Sequence, residues 1–112
     1  LERQESGKEP IEDSFSIEHI LPQNPNEVWV QKFQQDEIDD ATYRLGNMTP
    51  LEQKLNAKIG TESYKDKKAQ AYSRSAFEIT KNIQADDWTM SSIVNRQEKM
   101  AESALRIWRI SY

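Results

Sequence analysis

Hydrophobic and polar residues alternate over positions 14–20, near the start of the patterned part of the chain. Phe15 and Ile17 fall on one face and polar residues on the other, which is the period-two pattern of a half-buried strand. Pro22 follows at once, and proline ends regular hydrogen bonding of this kind. The pattern therefore predicts a first strand over 14–20, followed by a loop that continues to about position 26.

The next stretch of the chain mixes helix and strand signals. Asn26 is a suitable N-cap for a helix that includes Trp29. Positions 36–40 are acidic and predict a solvated segment, and 43–49 predicts a second strand with a bend at Gly46. A capping-box arrangement then predicts a short helix that ends at Gly60; it is formed by Thr49 as N-cap, Pro50 and Glu52.

From about residue 62 the pattern is helical throughout. Helix-forming residues fill 63–70 and 75–83, and 86–89 offers caps for a long last helix. That helix carries an apolar stripe at i, i+3, i+4 spacing, which we expect to pack on the rest of the chain: Ile93, Val94, Gln97, Met100, Ala101, Ala104, Leu105 and Trp108. The sequence thus predicts an α+β fold in which strand, long loop, strand and short helix precede a mainly α-helical C-terminal part.

The length of 112 residues fits one domain with a single core. Positions 1–13 are polar and without apolar periodicity, so we expect a linker or disordered segment there and the folded domain over 14–112. No apolar run is long enough to cross a membrane, no signal-peptide pattern is present, and no cysteine occurs. The expected location is therefore cytoplasmic by default, and the missing initiator Met suggests a fragment of a longer protein.

The charge of the chain is unevenly distributed. The net charge of −4 argues against a nucleic-acid binder, but the acids concentrate in 2–13 and 37–40. Basic residues gather in the middle of the sequence, where they form either a local basic face or ordinary solvated helix charges. These residues are Lys54, Lys58, Lys65, Lys67, Lys68, Arg74 and Lys81.

His19 is the only histidine, and histidine is the side-chain type that changes charge near neutral pH. It is therefore the natural candidate for a residue that accepts a proton in catalysis. Glu18 precedes it directly, Pro22 follows three residues later, and the end of a strand is a position where reactive side chains are presented. Taken alone, His19 is better explained as a structural or surface histidine, and Glu18 is explained as well by a solvent-facing carboxylate as by a metal ligand.

Two asparagines form the second candidate group. Asn47 lies beside Gly46, and Asn56 lies on the short predicted helix nine residues later. Asparagine side-chain oxygens are hard neutral ligands suited to Mg²⁺ or Mn²⁺, which usually take one or two protein groups and keep several waters. In isolation, Asn47 is also an ordinary turn residue and Asn56 an ordinary helix residue.

In combination, these motifs resemble the HNH nucleases, also called His-Me finger or ββα-metal nucleases. The motifs are Glu-His-Ile-Leu-Pro-Gln at 18–23, Leu-Gly-Asn at 45–47, and Asn56. The chain further resembles the C-terminal nuclease domain of GmrSD-type, modification-dependent restriction endonucleases over about 14–110. That wider similarity includes Trp29, the run from Asn47 to Leu51, Lys67, Lys68, Tyr72, Trp88, Thr89, Arg96 and Trp108.

The resemblance implies a finger of a two-stranded antiparallel hairpin and a short helix, and it implies roles for the candidate residues. His19 would be the general base, Glu18 and Asn56 the ligands of one divalent cation, most simply Mg²⁺ or Mn²⁺, and Asn47 a structural residue that positions the catalytic loop. The candidate contacts to DNA phosphates are Lys58, Lys67 and Lys68. Many HNH nucleases carry Asp at the position of Glu18 and His at the position of Asn56.

The implied function is metal-dependent cleavage of double-stranded DNA, including modified DNA, within a larger restriction or phage-defence protein whose N-terminal domains supply specificity. The acidic net charge fits a domain that relies on those other parts for DNA affinity. The alternative is a noncatalytic DNA- or protein-binding module that retains the finger fold. A purely structural helical domain is a third interpretation, but it leaves the polar residues of the strand–loop–strand region without a purpose.

Overall fold

The computed structural model describes residues 14–111, with side chains through position 105, so the expected linker at 1–13 lies outside the described residues. The fold is α+β, as the sequence predicts. A two-stranded sheet and the helix that follows it are surrounded by further short helices and one long helix. In chain order the elements are β1 (Phe15–His19), α1 (Glu27–Val30), α2 (Ile38–Thr42), β2 (Met48–Glu52), α3 (Gln53–Ile59), α4 (Tyr64–Gln70), α5 (Glu78–Lys81) and α6 (Met90–Ser111), with 3₁₀ turns at Gln35–Glu37, Leu45–Asn47 and Tyr72–Arg74.

The two strands pair antiparallel although a long connection separates them. Phe15 lies opposite Glu52, and His19 lies opposite Met48. The strand at 14–20 is confirmed, but its expected orientation is wrong: Phe15 and Ile17 are about half exposed, whereas Glu18 is buried. The sheet is turned this way because Glu18 has buried hydrogen-bonding partners on the inner side, while Phe15 covers part of its surface against Phe77, with ring centroids 5.4 Å apart.

The second strand begins later than the sequence predicts. Residues 45–47 form a 3₁₀ turn, and β2 contains Thr49, Pro50 and Glu52, which the sequence assigned to a helix start. The capping box is absent because these side chains have other partners. The Thr49 hydroxyl lies 2.6 Å from that of Thr80, and Glu52 accepts hydrogen bonds from Ser75 and Ala76. Helix α3 therefore begins at Gln53.

Several helix boundaries follow the expected caps. The Asn26 side chain accepts a hydrogen bond from the Val28 amide at 3.1 Å, which confirms it as the N-cap of α1. Ser63 caps α4 in the same way, although it is not one of the expected caps. Gly60 ends α3 with φ +44°, a conformation that favours glycine. By contrast, the acidic segment 36–40 is mostly helical, and the predicted helix over 75–83 is reduced to the single turn of α5.

A core of buried aromatic and aliphatic side chains lies between the sheet and the helices. Trp29 is buried, and its indole N–H donates to the carbonyls of Thr61 and Glu62, which ties α1 to the α3–α4 loop. Tyr64 stacks on Trp88 with ring centroids 5.3 Å apart. Ile20 and Leu21, which directly follow β1, belong to the same core.

The long helix α6 packs on the domain through its first part only. Ile93 is fully buried, and Gln97 and Met100 are half-buried, whereas Ala101, Ala104 and Leu105 are exposed. The expectation of a packed stripe is therefore correct up to Met100 and wrong from Ala101 to Leu105, and the side chain of Trp108 lies outside the described set. None of the helices within 14–111 is long and apolar enough to cross a membrane.

Candidate functional site

The segment after β1 is held by the side chain of Asn47, which is fully buried. Its Oδ1 accepts hydrogen bonds from the Leu21 amide at 2.8 Å and from the Trp88 indole at 2.9 Å. Its Nδ2 donates to the carbonyls of Leu21 and Thr42, both at 3.0 Å. Every hydrogen-bonding position of the amide is thus used, and the backbone just beyond His19 is fixed relative to the 3₁₀ turn before β2.

Glu18 lies inside the molecule in a charged cluster. Its Oε2 accepts hydrogen bonds from the Lys67 ammonium at 2.9 Å and from the Tyr72 hydroxyl at 2.7 Å. Lys67 and Tyr72 are themselves buried. A buried carboxylate and ammonium are costly to remove from water, so they are found together only when their hydrogen-bonding capacity is largely satisfied.

Burial and charge together set the protonation behaviour of this cluster. Burial lowers the pKa of Lys67, and the neighbouring Glu18 carboxylate opposes that shift. Burial and the same carboxylate both raise the pKa of Tyr72 well above its usual value. Tyr72 therefore stays protonated at neutral pH and can act as a steady hydrogen-bond donor to Glu18.

His19 is half-buried at the end of β1, next to Glu18 in sequence. Its imidazole packs edge-on against the ring of Tyr43, with centroids 5.9 Å apart and an angle of 76° between the planes. Its backbone carbonyl accepts a hydrogen bond from Lys67 at 3.3 Å. The ring is thus partly accessible, while the backbone that carries it is held in place.

Asn56 lies on α3, and its Nδ2 donates to the Ser16 hydroxyl of β1 at 2.7 Å. This contact joins the short helix to the strand. Glu18, His19 and Asn56 line one open cavity of about 330 Å³. The other residues that line it are Ile17, Pro22, Gln23, Asn24, Gly60 and Thr61.

The donor types of this cavity fit a hard divalent cation. Glu18 and Asn56 both line it, and neither Oε1 of Glu18 nor Oδ1 of Asn56 has a hydrogen-bond partner among the described residues. Oxygen donors of these two kinds suit Mg²⁺ or Mn²⁺. Over positions 14–111, no group of three or more His, Cys, Asp or Glu side chains converges on a point.

The lysines that the sequence singled out for phosphate contacts occupy different environments. Lys58 is exposed near the end of α3. Lys68 is half-buried and donates to the Ala85 carbonyl at 3.1 Å. Lys67 does not fit a phosphate contact, because its ammonium is fully buried and bonded to Glu18 and to the carbonyls of His19 and Ile20.

The burial of Lys67 could have been recognised from its spacing along the helix, although not from its residue type. Tyr64, Lys67 and Ala71 are spaced i, i+3, i+7, and all three are buried. Helical periodicity would therefore have placed Lys67 on the core face of α4, where a lysine requires an acidic partner.

Helix α6 supports the same region from the other side. The Arg96 guanidinium donates to the carbonyls of Gly46 and Met48 and to the Thr49 hydroxyl, at 2.8–3.0 Å. The Gln97 side chain accepts a hydrogen bond from the Gly46 amide at 3.0 Å. Helix α6 therefore holds the start of β2 through these hydrogen bonds, a role of Gln97 that its place in the apolar stripe does not predict.

A larger cavity of about 630 Å³ lies between α5 and α6. Its lining combines apolar side chains such as Ile79 and Met100 with polar and charged ones such as Arg96 and Lys99, and none of the candidate catalytic residues lines it. Of these two cavities, the one at the end of β1 combines an acid, a histidine and an amide.

Comparison with known families defines the class of this domain as one related to restriction endonucleases. The family described as GmrSD restriction endonucleases, C-terminal domain, matches residues 1–103, and the chain belongs to this family. No curated protein and no solved structure matches the chain.

Proposed function

We propose that this chain is the DNA-cleaving domain of a larger restriction protein and hydrolyses phosphodiester bonds as an HNH-type, metal-dependent endonuclease. The observation that carries the proposal is the shared cavity of Glu18, His19 and Asn56 at the end of β1. The membership of a restriction endonuclease family supports the same reaction class. DNA is then the substrate, and other domains of the longer protein select the modification or sequence.

In this mechanism His19 accepts the proton of the attacking water, because an imidazole exchanges protons near neutral pH. Its half-buried ring at the strand end supports that role, since water can reach it while the backbone stays fixed. Glu18 and Asn56 would hold the cation through Oε1 and Oδ1. A divalent cation bound there supplies charge neutralisation at the phosphate oxygens during attack.

Asn47 takes no part in the proton transfer. Its amide holds the Leu21 backbone on both sides, and this supports a role in keeping His19 in register with the substrate. Lys58 and Lys68 remain the candidates for phosphate contacts. Lys58 is the more accessible of the two, because the ammonium of Lys68 already donates to a backbone carbonyl.

The test is cleavage of supercoiled plasmid with Mg²⁺, Mn²⁺ or EDTA, using both the longer protein and this 112-residue chain. We expect His19→Ala to lower the cleavage rate by about 10²–10⁴-fold without unfolding the domain. Asn56→Ala should abolish metal-dependent cleavage, and Asn82→Ala, at an exposed position outside the cavity, is the matched control. Cleavage by His19→Ala at the wild-type rate would remove His19 from the mechanism.

The competing function is a noncatalytic DNA- or protein-binding module that retains the finger fold, and its support is the acidic balance of the chain, with a net charge of −4. Metal titration separates the two functions. The nuclease proposal requires that Glu18→Ala and Asn56→Ala lose metal binding. For a binding module, neither substitution should change metal binding. DNA binding without cleavage under every metal condition would favour the module.

A further inference from the structure

Two buried donors converge on one oxygen of Glu18. The Lys67 ammonium and the Tyr72 hydroxyl both bind Oε2, at 2.9 and 2.7 Å, and neither binds Oε1. A carboxylate with one oxygen fixed from two directions cannot turn freely about its last torsion. It therefore offers Oε1 in a defined direction, and Oε2 is already occupied.

Lys67 also fixes the backbone that follows. Its ammonium has three N–H groups and three acceptors: Glu18 Oε2, the His19 carbonyl at 3.3 Å and the Ile20 carbonyl at 3.0 Å. One side chain from α4 thus binds three consecutive residues of β1 and its end. The orientation of the Glu18 carboxylate and the position of the His19 backbone are coupled through this single group.

We propose that Lys67 and Tyr72 are positioning residues that make Glu18 a one-oxygen metal ligand and hold His19 beside it. This inference rests on the proposed function, in which Glu18 binds the cation. Partners of this kind, which touch a ligand and not the metal, typically change metal affinity or activity by about 10–100-fold when removed. A cluster that served only the stability of the fold would leave the metal affinity of the folded protein unchanged.

The sharpest variant is Tyr72→Phe, because it removes one hydroxyl and keeps the buried ring. Mn²⁺ is the probe. Its binding is measured without DNA, by the loss of the electron paramagnetic resonance signal of free Mn²⁺ and by calorimetry. We expect the dissociation constant for Mn²⁺ to rise by about 10–100-fold. The matched control is Tyr64→Phe, another buried tyrosine whose hydroxyl makes one short hydrogen bond, to the Ala85 carbonyl at 2.6 Å; its Mn²⁺ affinity should equal that of the wild type.

A second variant, Lys67→Arg, decides the matter if Tyr72→Phe does not fold. The planar guanidinium keeps the charge but cannot place three donors where the ammonium has them. We expect weaker Mn²⁺ binding again, with Lys65→Arg, an exposed position on the same helix, as its control. A folded Tyr72→Phe or Lys67→Arg protein that binds Mn²⁺ as tightly as the wild type overturns the proposal.

Glu18→Gln separates this failure from a failure of the proposed function. If Glu18→Gln loses Mn²⁺ binding while Tyr72→Phe and Lys67→Arg retain it, Glu18 is a ligand and the positioning role alone is wrong. If Glu18→Gln binds Mn²⁺ like the wild type, or the wild type does not bind Mn²⁺ at all, the metal role of Glu18 fails and the positioning role fails with it.

Discussion

The side chain of Asn47 binds both backbone groups of Leu21: the Leu21 amide donates to Oδ1 at 2.8 Å, and Nδ2 donates to the Leu21 carbonyl at 3.0 Å. The backbone carbonyl of Asn47 also accepts a hydrogen bond from the Ile20 amide at 2.9 Å. A single residue of the 3₁₀ turn before β2 thus replaces the strand pairing that ends at His19. The geometry of the candidate site depends on this contact, because Leu21 lies two residues beyond His19.

Replacing Asn47 by alanine should therefore destabilise the domain strongly. The Leu21 amide, the Leu21 and Thr42 carbonyls and the Trp88 indole would lose a buried partner. Because a buried unsatisfied group costs about 1–3 kcal/mol, we expect a loss of about 3–5 kcal/mol in the free energy of unfolding, measured by urea denaturation. Asn82→Ala, at an exposed position, should change it by less than about 0.5 kcal/mol. A similarly small effect of Asn47→Ala would show that the Asn47 side chain does not hold the Leu21 backbone in place.

Removing the Lys67 ammonium should lower the free energy of unfolding by more than the loss of its own hydrogen bonds. Lys67→Met leaves the buried Glu18 carboxylate without its counter-charge, and breaking a buried pair in this way typically costs about 3–5 kcal/mol. Urea denaturation should show this loss for Lys67→Met, and the exposed Lys65→Met is the control.

The double variant Lys67→Met with Glu18→Gln should recover much of that stability, because no uncompensated charge remains in the core. A double-mutant cycle over Glu18 and Lys67 measures the coupling directly. Strictly additive effects of the two substitutions would show that the pair is not coupled and that the contact contributes little.

The acid stability of the domain should depend on Glu52. Burial alone would raise the pKa of this carboxyl, but hydrogen bonds from the Ala76 amide and the Ser75 hydroxyl, both at 2.8 Å, hold it below its ordinary value of 4.5. Below that value the unfolded chain binds a proton that the folded chain resists. Stability from this group is therefore present above pH 4.5 and is lost as the pH falls through the lower folded pKa.

We expect Glu52→Gln to flatten the decline of the unfolding free energy at acidic pH, as measured by denaturation at a series of pH values. Glu98→Gln, at an exposed position on α6, is the matched control and should keep the wild-type profile. An unchanged pH profile in Glu52→Gln would show that the link between β2 and the Ser75 loop makes no contribution through this carboxyl.

Gly46 should not tolerate a side chain, because α6 approaches its backbone closely. A Cβ at this position would lie 2.1 Å from the Ile93 carbonyl oxygen and 2.9 Å from the Gln97 Cβ. Gly46→Ala must displace α6 or the turn, and we expect a loss of about 1–3 kcal/mol. The expected signature is a lower melting temperature together with faster amide exchange at Ile93 and Gln97. Gly60→Ala, where nothing lies within 4 Å, strains only its own backbone and should leave exchange in α6 unchanged.

Local signals predicted those parts of the fold that local chemistry determines. Asn26 caps a helix through its own side chain, and Gly60 ends a helix through its own backbone, so each could be recognised from a few residues. The strand at 14–20 was recognisable for the same reason. The residues of the candidate site were found through the spacing of Glu18, His19, Asn47 and Asn56, which corresponds to a known arrangement.

The errors occur where distant partners override local preference. Thr49 looks like a helix cap, but Thr80 and Arg96 provide partners for it in a strand. The apolar face of β1 points outward because Glu18 has Lys67 and Tyr72 inside, and those partners lie 49 and 54 residues away. No window of sequence contains both ends of such a contact, so the inward turn of Glu18 could not be predicted from alternation alone.

The hydrogen bonds that Arg96 and Gln97 make with the start of β2 form late in synthesis, after the residues that they hold have already been made. During synthesis the chain emerges from its N-terminus, so the strands and the histidine are produced long before the helix that secures them. The turn at Gly46 acquires its last side-chain partners only after position 97 has been added. A nascent chain that stops short of α6 would therefore carry the candidate catalytic residues without these contacts, and the proposed activity would require the finished fold.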